Sequence, residues 1–294
     1  MNQIPVFSSL RWHPCEQRAL VLDAVGIESE IATADNRYVL LVAADRADDA
    51  RAQLQRYEAE NRIVELPAAP PYTHPNAWIG AAVYALVLVA CGYLAGADAF
   101  HVNWIRVGAL TGTMGETQEW WRIVTSLTLH ADLAHLAGNL LIGAVFGYFA
   151  GQMFGPGIAW LSILAAGALG GWVDSLFMSD VRTTIGASGA VFATLGMVAA
   201  FTWRQRRHSR LRWAQRTAPL LAAAAVLAML GSGGENTDVL AHLTGFAAGI
   251  LFGVAYGRVN TRRLASGKLQ GLCGSLAVAI VGIAWALALS APSG

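Results

Sequence analysis

Residues 239–257 read VLAHLTGFAAGILFGVAYG, a stretch with no charged residue, an imidazole at His242, and glycines four apart at Gly245, Gly249 and Gly253. Such a run approaches the roughly 20 residues needed to cross about 30 Å of hydrocarbon. Backbone polar groups in lipid must be satisfied internally, so the run is a helix. The glycine spacing gives it a GxxxGxxxG face on which a second helix can pack closely.

Working outward, six further apolar stretches lie near 77–97, 135–153, 157–177, 185–203, 218–232 and 271–290. The 218–232 stretch is short, which tilt or local mismatch accommodates. Composition agrees: of 294 residues, 55% are hydrophobic and only 13% charged, where a soluble domain carries about a quarter charged residues. Disordered chains, basic nucleic-acid binders and disulfide-rich scaffolds are excluded on these grounds. A net charge of +1 supplies no general attraction for acidic partners. Cys15, Cys91 and Cys273 are scattered, so neither a disulfide framework nor a metal site follows.

Residues 1–74 hold 18 of the 39 charged residues. That shift marks 1–65 as a small soluble domain and 66–76, which contains LPAAPPYTHP, as a linker. Residues 77–257 form the six-span core, and 258–294 a loop and a seventh transmembrane helix. Within the soluble domain the pattern predicts strands at 4–8, 28–33 and 37–43, helices at 15–25 and 46–61, and a hairpin turn at Asp35-Asn36. It holds no nucleophile–base pair and no phosphate loop, and reads as a regulatory or interaction domain. The first twenty residues lack the apolar region of a cleavable signal peptide. The fold class is an all-α polytopic membrane protein with a small α+β domain.

Six arginines follow the fourth span (204, 206, 207, 210, 212, 216), and Arg258, Arg262, Arg263 and Lys268 follow the sixth. The positive-inside rule places both connections, and hence the N-terminal domain, in the cytoplasm, with the C-terminus outside. The expected location is a bacterial inner membrane. Three polar clusters then share one shallow depth near the external face. His135 and Asn139 open the second span, Ser188 lies a few residues into the fourth, and His242 a few residues into the sixth. Intramembrane polar groups are costly, and their convergence points to function.

A serine needs a base to become a nucleophile, and His242 is the candidate for Ser188. His135 and Asn139, i and i+4 on one helical face, can donate to a developing oxyanion, as can the Ser188 backbone N–H. Phe192, i+4 from Ser188, can pack on the imidazole. Singly, these residues read more plainly as helix-packing or interhelical hydrogen-bonding groups. Their joint order, depth and small-residue setting favour chemistry.

Glu119-Trp120-Trp121-Arg122, His130, His135, Asn139, Gly186-Ala187-Ser188-Gly189 and Ala241-His242 with Gly245 and Gly249 together resemble the signature of rhomboid intramembrane serine proteases, over about residues 77–257. The resemblance implies a six-helix core, a Ser188–His242 dyad and hydrolysis of transmembrane protein substrates in the lipid bilayer. It implies that His135, Asn139 and Gly186 assist the oxyanion, while Glu119, Trp121 and Arg122 hold the first external loop. Several relatives have tyrosine at the place of Phe192. His130 is expected to bond loop backbone. Asp174 is placed to complete a triad, but the resemblance implies a dyad, and a carboxylate near the membrane edge is more simply hydrated. No cofactor, metal or nucleic acid is implied.

There is no His-Glu-x-x-His for zinc chemistry and no paired intramembrane Asp for an aspartyl mechanism. The competing functions are an inactive rhomboid-like protein that binds transmembrane helices, and a transporter. The first typically lacks the Ser or the His, and the second needs inverted repeats and a midplane site. The Gly-rich segment 231–238 is expected to be a mobile cap, with the fifth span as lateral gate. Trp78, Trp104 and Trp203 are expected to be interfacial anchors.

Overall fold

The computed structural model describes residues 3–61, 73–179, 181–207, 212–232, 237–259 and 264–291. The chain divides into two compact units, Met1–Pro70 and Pro71–Gly294.

The first unit contains β1 (Gln3–Ser9), α1 (Trp12–Ala24), β2 (Ser29–Ala34), β3 (Arg37–Ala43) and α2 (Ala47–Glu60). The sheet is antiparallel in the order β1-β3-β2, with Ile4 opposite Val42 and Ile31 opposite Leu40. Asp35 and Asn36 have φ of 50° and 59°, the left-handed pair that joins two strands through a tight turn matching their twist. Leu40 and Val42 alternate onto one face and pack with Leu22, Ala50 and Leu54 from the helices. Cys15 is fully buried, and burial pushes its thiol above the ordinary range.

The second unit is an integral multi-pass membrane bundle built on α3 (Ala77–Gly96), α7 (Leu133–Phe154), α8 (Pro156–Ser175), α9 (Ser188–Arg206), α10 (Trp213–Gly231), α11 (Val239–Tyr256) and α12 (Gly267–Ser290). Short helices α4 (Trp104–Gly108), α5 (Met114–Thr117) and α6 (Arg122–Thr125) fill the connection between α3 and α7. Six of the long helices are long and apolar enough to span a bilayer. The seventh, α9, is the central one. Its end carries Arg204 and Arg206, but the run from Gly189 to Met197 is buried without a break. A helix sheathed by protein does not need a lipid-facing apolar surface.

Glycine sets how closely α9 and α11 approach. A Cβ on Gly245, Gly249 or Gly253 would collide with the backbone of Gly189, Ala193 and Met197 respectively. On its other side α11 meets α8, where Gly170 lies against Gly245 and the Ser162 hydroxyl meets that of Tyr256 at 2.6 Å. Phe154, Met197 and Phe201 fill the core below, with Tyr256 stacked on Phe154 at 4.9 Å between ring centroids.

Three expectations need correction. Ser188 is the first residue of α9, not several residues inside it. The fifth span begins at Trp213, not 218. The Gln215 side chain accepts from the Arg212 N–H at 3.1 Å to close its first turn, and the Gln215 carbonyl that Pro219 cannot bond accepts from Arg206 Nη1 at 3.3 Å. Trp104 is not an interfacial anchor. It is 5% exposed, its ring lies 4.8 Å from that of Trp285 on α12, and its N–H is spent on the Ala99 carbonyl.

Candidate active site

The segment before α9 determines where Ser188 stands. β4 (Leu110–Thr111) pairs antiparallel with β5 (Thr183–Thr184), which ties the approach to Ser188 to the α3–α7 connection. The Gly186 N–H donates to the Ser126 carbonyl at 2.9 Å. Gly186 has φ +129°, and a Cβ there would stand 2.7 Å from His135 Cε1, so no other residue fits without strain. The Ala187 N–H points at His130 Nε2 at 3.5 Å. Burial pushes the His130 imidazole down to about 4, with the neighbouring His135 adding to the effect. The neutral ring this favours can accept that N–H.

Ser188 Oγ and His242 Nε2 are 2.8 Å apart. His242 is buried, and its ring lies over Phe192 with centroids 4.6 Å apart. Its Nδ1 is 2.9 Å from the Gly231 carbonyl at the end of α10. A carbonyl only accepts, so Nδ1 carries the hydrogen, and Nε2 presents its lone pair to the serine hydroxyl. The backbone thus performs the orienting role that a carboxylate has in a Ser-His-Asp triad.

Asp238 caps α11 by accepting the Ala241 N–H at 3.1 Å, and its own carbonyl accepts the His242 N–H at 3.2 Å. Arg182 pairs with it at 3.1 Å, and the Thr184 hydroxyl donates to its other oxygen. The preceding segment is thereby fastened to the helix that carries the imidazole.

His135, Asn139, Gly186, Ser188, Phe192 and His242 line one cleft of about 730 Å³. Asn139 is 7% exposed, and its Nδ2 has no acceptor among the described residues. Its backbone carbonyl accepts from Tyr84 Oη at 2.8 Å, which anchors this part of α7 to α3. His135 Nε2 and Ser188 Oγ lie 2.8 and 3.6 Å from the point a Gly186 Cβ would occupy. The His135 ring and the Ser188 hydroxyl therefore border one small volume. The cleft continues between α7, α9 and α10 along Phe146, Leu195, Val226 and Leu230.

Glu119, Trp121 and Arg122 stand apart from the cleft. Arg122 forks onto both Glu119 oxygens at 2.9 and 3.2 Å, and its Nη1 donates to the carbonyls of Arg106 and Ala109 at 2.9 and 2.8 Å. Burial alone would raise the Glu119 carboxyl, but the Arg122 and Thr117 hydrogen bonds hold it below its ordinary value. Asp174 is not hydrated: it has no solvent exposure. Of the Gly-rich segment, residues 233–236 lie outside the described residues.

Sequence reasoning missed two parts of this arrangement. The Gly231 carbonyl has no side-chain signature. The Asp238 cap had one, an aspartate just before an apolar periodic run.

Comparison with known proteins places the residues in context. Residues 117–259 match the model of the rhomboid domain. The chain is 30% identical over 155 residues to a protein named rhomboid protease GluP of Bacillus subtilis, covering 52% of this chain and 29% of that one. It is 30% identical over 154 residues to RHOMBOID-like protein 1 of Arabidopsis thaliana (51% and 38%). It is 27% identical over 176 residues to rhomboid-like protease 3 of Toxoplasma gondii (59% and 65%). The chain thus spans less than two thirds of each of these relatives.

Proposed function

We propose, from the premise that the chain belongs to the rhomboid family, that it is an intramembrane serine protease with Ser188 as nucleophile and His242 as general base and acid. The observation that carries this is the 2.8 Å contact between Ser188 Oγ and His242 Nε2, with Nδ1 already committed to Gly231. Nε2 takes the hydroxyl proton as Oγ attacks the scissile carbonyl. The oxyanion faces Asn139 Nδ2, the His135 ring and the backbone N–H of Ser188. The imidazolium then protonates the leaving amine, and water brought to the same base hydrolyses the acyl-enzyme.

The substrates are transmembrane proteins, and a substrate helix must unwind locally to expose a peptide bond. The apolar continuation of the cleft toward α10 suits entry from the bilayer, with α10 as gate. The arginines at the far ends of α9 and α11 support an external cleft, a cytoplasmic N-terminal domain and a bacterial inner membrane. Residues 1–65 are a separate non-catalytic domain, 77–257 the catalytic core, and 258–294 an appended loop and helix.

The test is fluorophosphonate labelling of the detergent-purified protein beside Ser188→Ala and His242→Ala. Labelling of the wild type alone is expected. Equal labelling of all three overturns the assignment. No labelling of any folded form favours a rhomboid-like protein that binds helices without cutting them.

A further inference from the structure

Asp174 lies in the last turn of α8 with no solvent exposure, and neither carboxylate oxygen has a hydrogen-bond partner among the described residues. Its position follows from the helix pairing. Ser162 meets Tyr256, and Gly170 lies against Gly245, so α8 and α11 run antiparallel. One turn past Gly170 on α8 therefore reaches the start of α11, where Asp238 caps the helix. Among the described residues the charged groups acting on Asp174 are Asp238 and Arg182. Arg182 is taken: its Nη2 bonds Asp238 Oδ1. Asp238 already accepts from Ala241, Arg182 and Thr184, and as a carboxylate has nothing to donate.

Two carboxylates brought together, one fully buried and the other already paired with Arg182, repel unless a proton lies between them. We propose that Asp174 and Asp238 share a proton, and that Asp174 is a positioning residue for His242. With its O–H donated to Asp238, Asp174 holds α8 against the capped end of α11, four residues before the imidazole. With the proton gone, the two carboxylates repel, the cap is pushed from α8, and Nε2 moves off Ser188 Oγ. This rests on the Ser188–His242 reading. It gives Asp174 no contact with substrate.

The experiment compares the wild type with Asp174→Asn and Asp174→Ala by fluorophosphonate labelling rate from about pH 5 to about pH 9. The Asn variant supplies an amide N–H to Asp238 at every pH. Its rate is expected to equal the wild type's at the acid end, and to persist at the alkaline end, where the wild type declines. The Ala variant is expected to be slower by about tenfold to a hundredfold throughout, the effect of a misplaced base. Identical pH profiles for wild type and Asp174→Asn overturn the inference, as does an Asn variant as slow as the Ala variant.

A second measurement needs no activity. The unfolded chain loses the Asp174 proton above about pH 4, so keeping it in the fold costs stability as pH rises. In a Ser188→Ala background, the melting temperature should fall more with rising pH for Asp174 than for Asp174→Asn. Parallel curves overturn the proposal. A wild type that fails to label sinks the dyad, and the melting comparison still decides the shared proton.

Discussion

Asn139 is the residue whose environment says most about the chemistry, because a buried amide with an idle N–H is costly unless something it meets in turn needs that hydrogen. Asn139→Ala should lower kcat by about 10²- to 10³-fold, the loss typical of one oxyanion donor, with KM for a transmembrane substrate little changed. An unchanged kcat would argue that the amide only packs. His130 yields a prediction about acid. Its imidazole titrates near 4 in the fold and near its ordinary value of about 6.5 in the unfolded chain. The unfolded chain therefore binds the extra proton first, so stability is complete above about pH 6.5 and falls as pH drops toward 4. His130→Gln, which cannot take that proton, should lower the slope of melting temperature against pH in this window. An unchanged slope would place the acid sensitivity elsewhere.

Among the elements, the α9–α11 seam and the α3–α7 connection carry the site in different ways. At the seam the constraint is volume. Gly249→Leu forces a side chain into the Ala193 backbone, an overpacking that typically costs about 1–3 kcal/mol. It should abolish labelling and lower the melting temperature together. In the connection the constraint is hydrogen bonding. Arg122→Ala leaves Glu119 and two carbonyls without their donor, and leaving part-buried acceptors unpaired in this way costs about 1–3 kcal/mol. Unaltered thermal stability in that variant would count against the structural role.

Legibility in the sequence followed the same division. The helices and the GxxxGxxxG contact could be read because apolar length and glycine spacing are local patterns. The start of α10 is not legible locally, since only the folded chain shows Arg206 serving the Gln215 carbonyl that Pro219 leaves open. Only the packed bundle brings Trp285 against Trp104, so the burial of that ring is not legible locally. Nothing local shows that α8 ends against a capped helix, so the burial of Asp174 is not legible either.

For the molecule as a whole, the two units make separable claims. If residues 1–65 carry no chemistry, a chain beginning at residue 73 should label with fluorophosphonate at a rate within about threefold of the full chain, a difference under 1 kcal/mol. A large drop would assign the N-terminal unit a part in forming the cleft. The His242 contact with Gly231 reaches further than its length suggests. The carbonyl that selects the tautomer of the base belongs to α10, the helix proposed to step aside for substrate. A shift of about 1 Å takes that pair beyond hydrogen-bond range. The imidazole then loses its preference for carrying its hydrogen on Nδ1, and with it the lone pair aimed at the serine. If α10 is the gate and His242 the base, admission and chemistry exclude each other in time: a polypeptide enters while the base is idle, and is cut only after the helix has settled back around it.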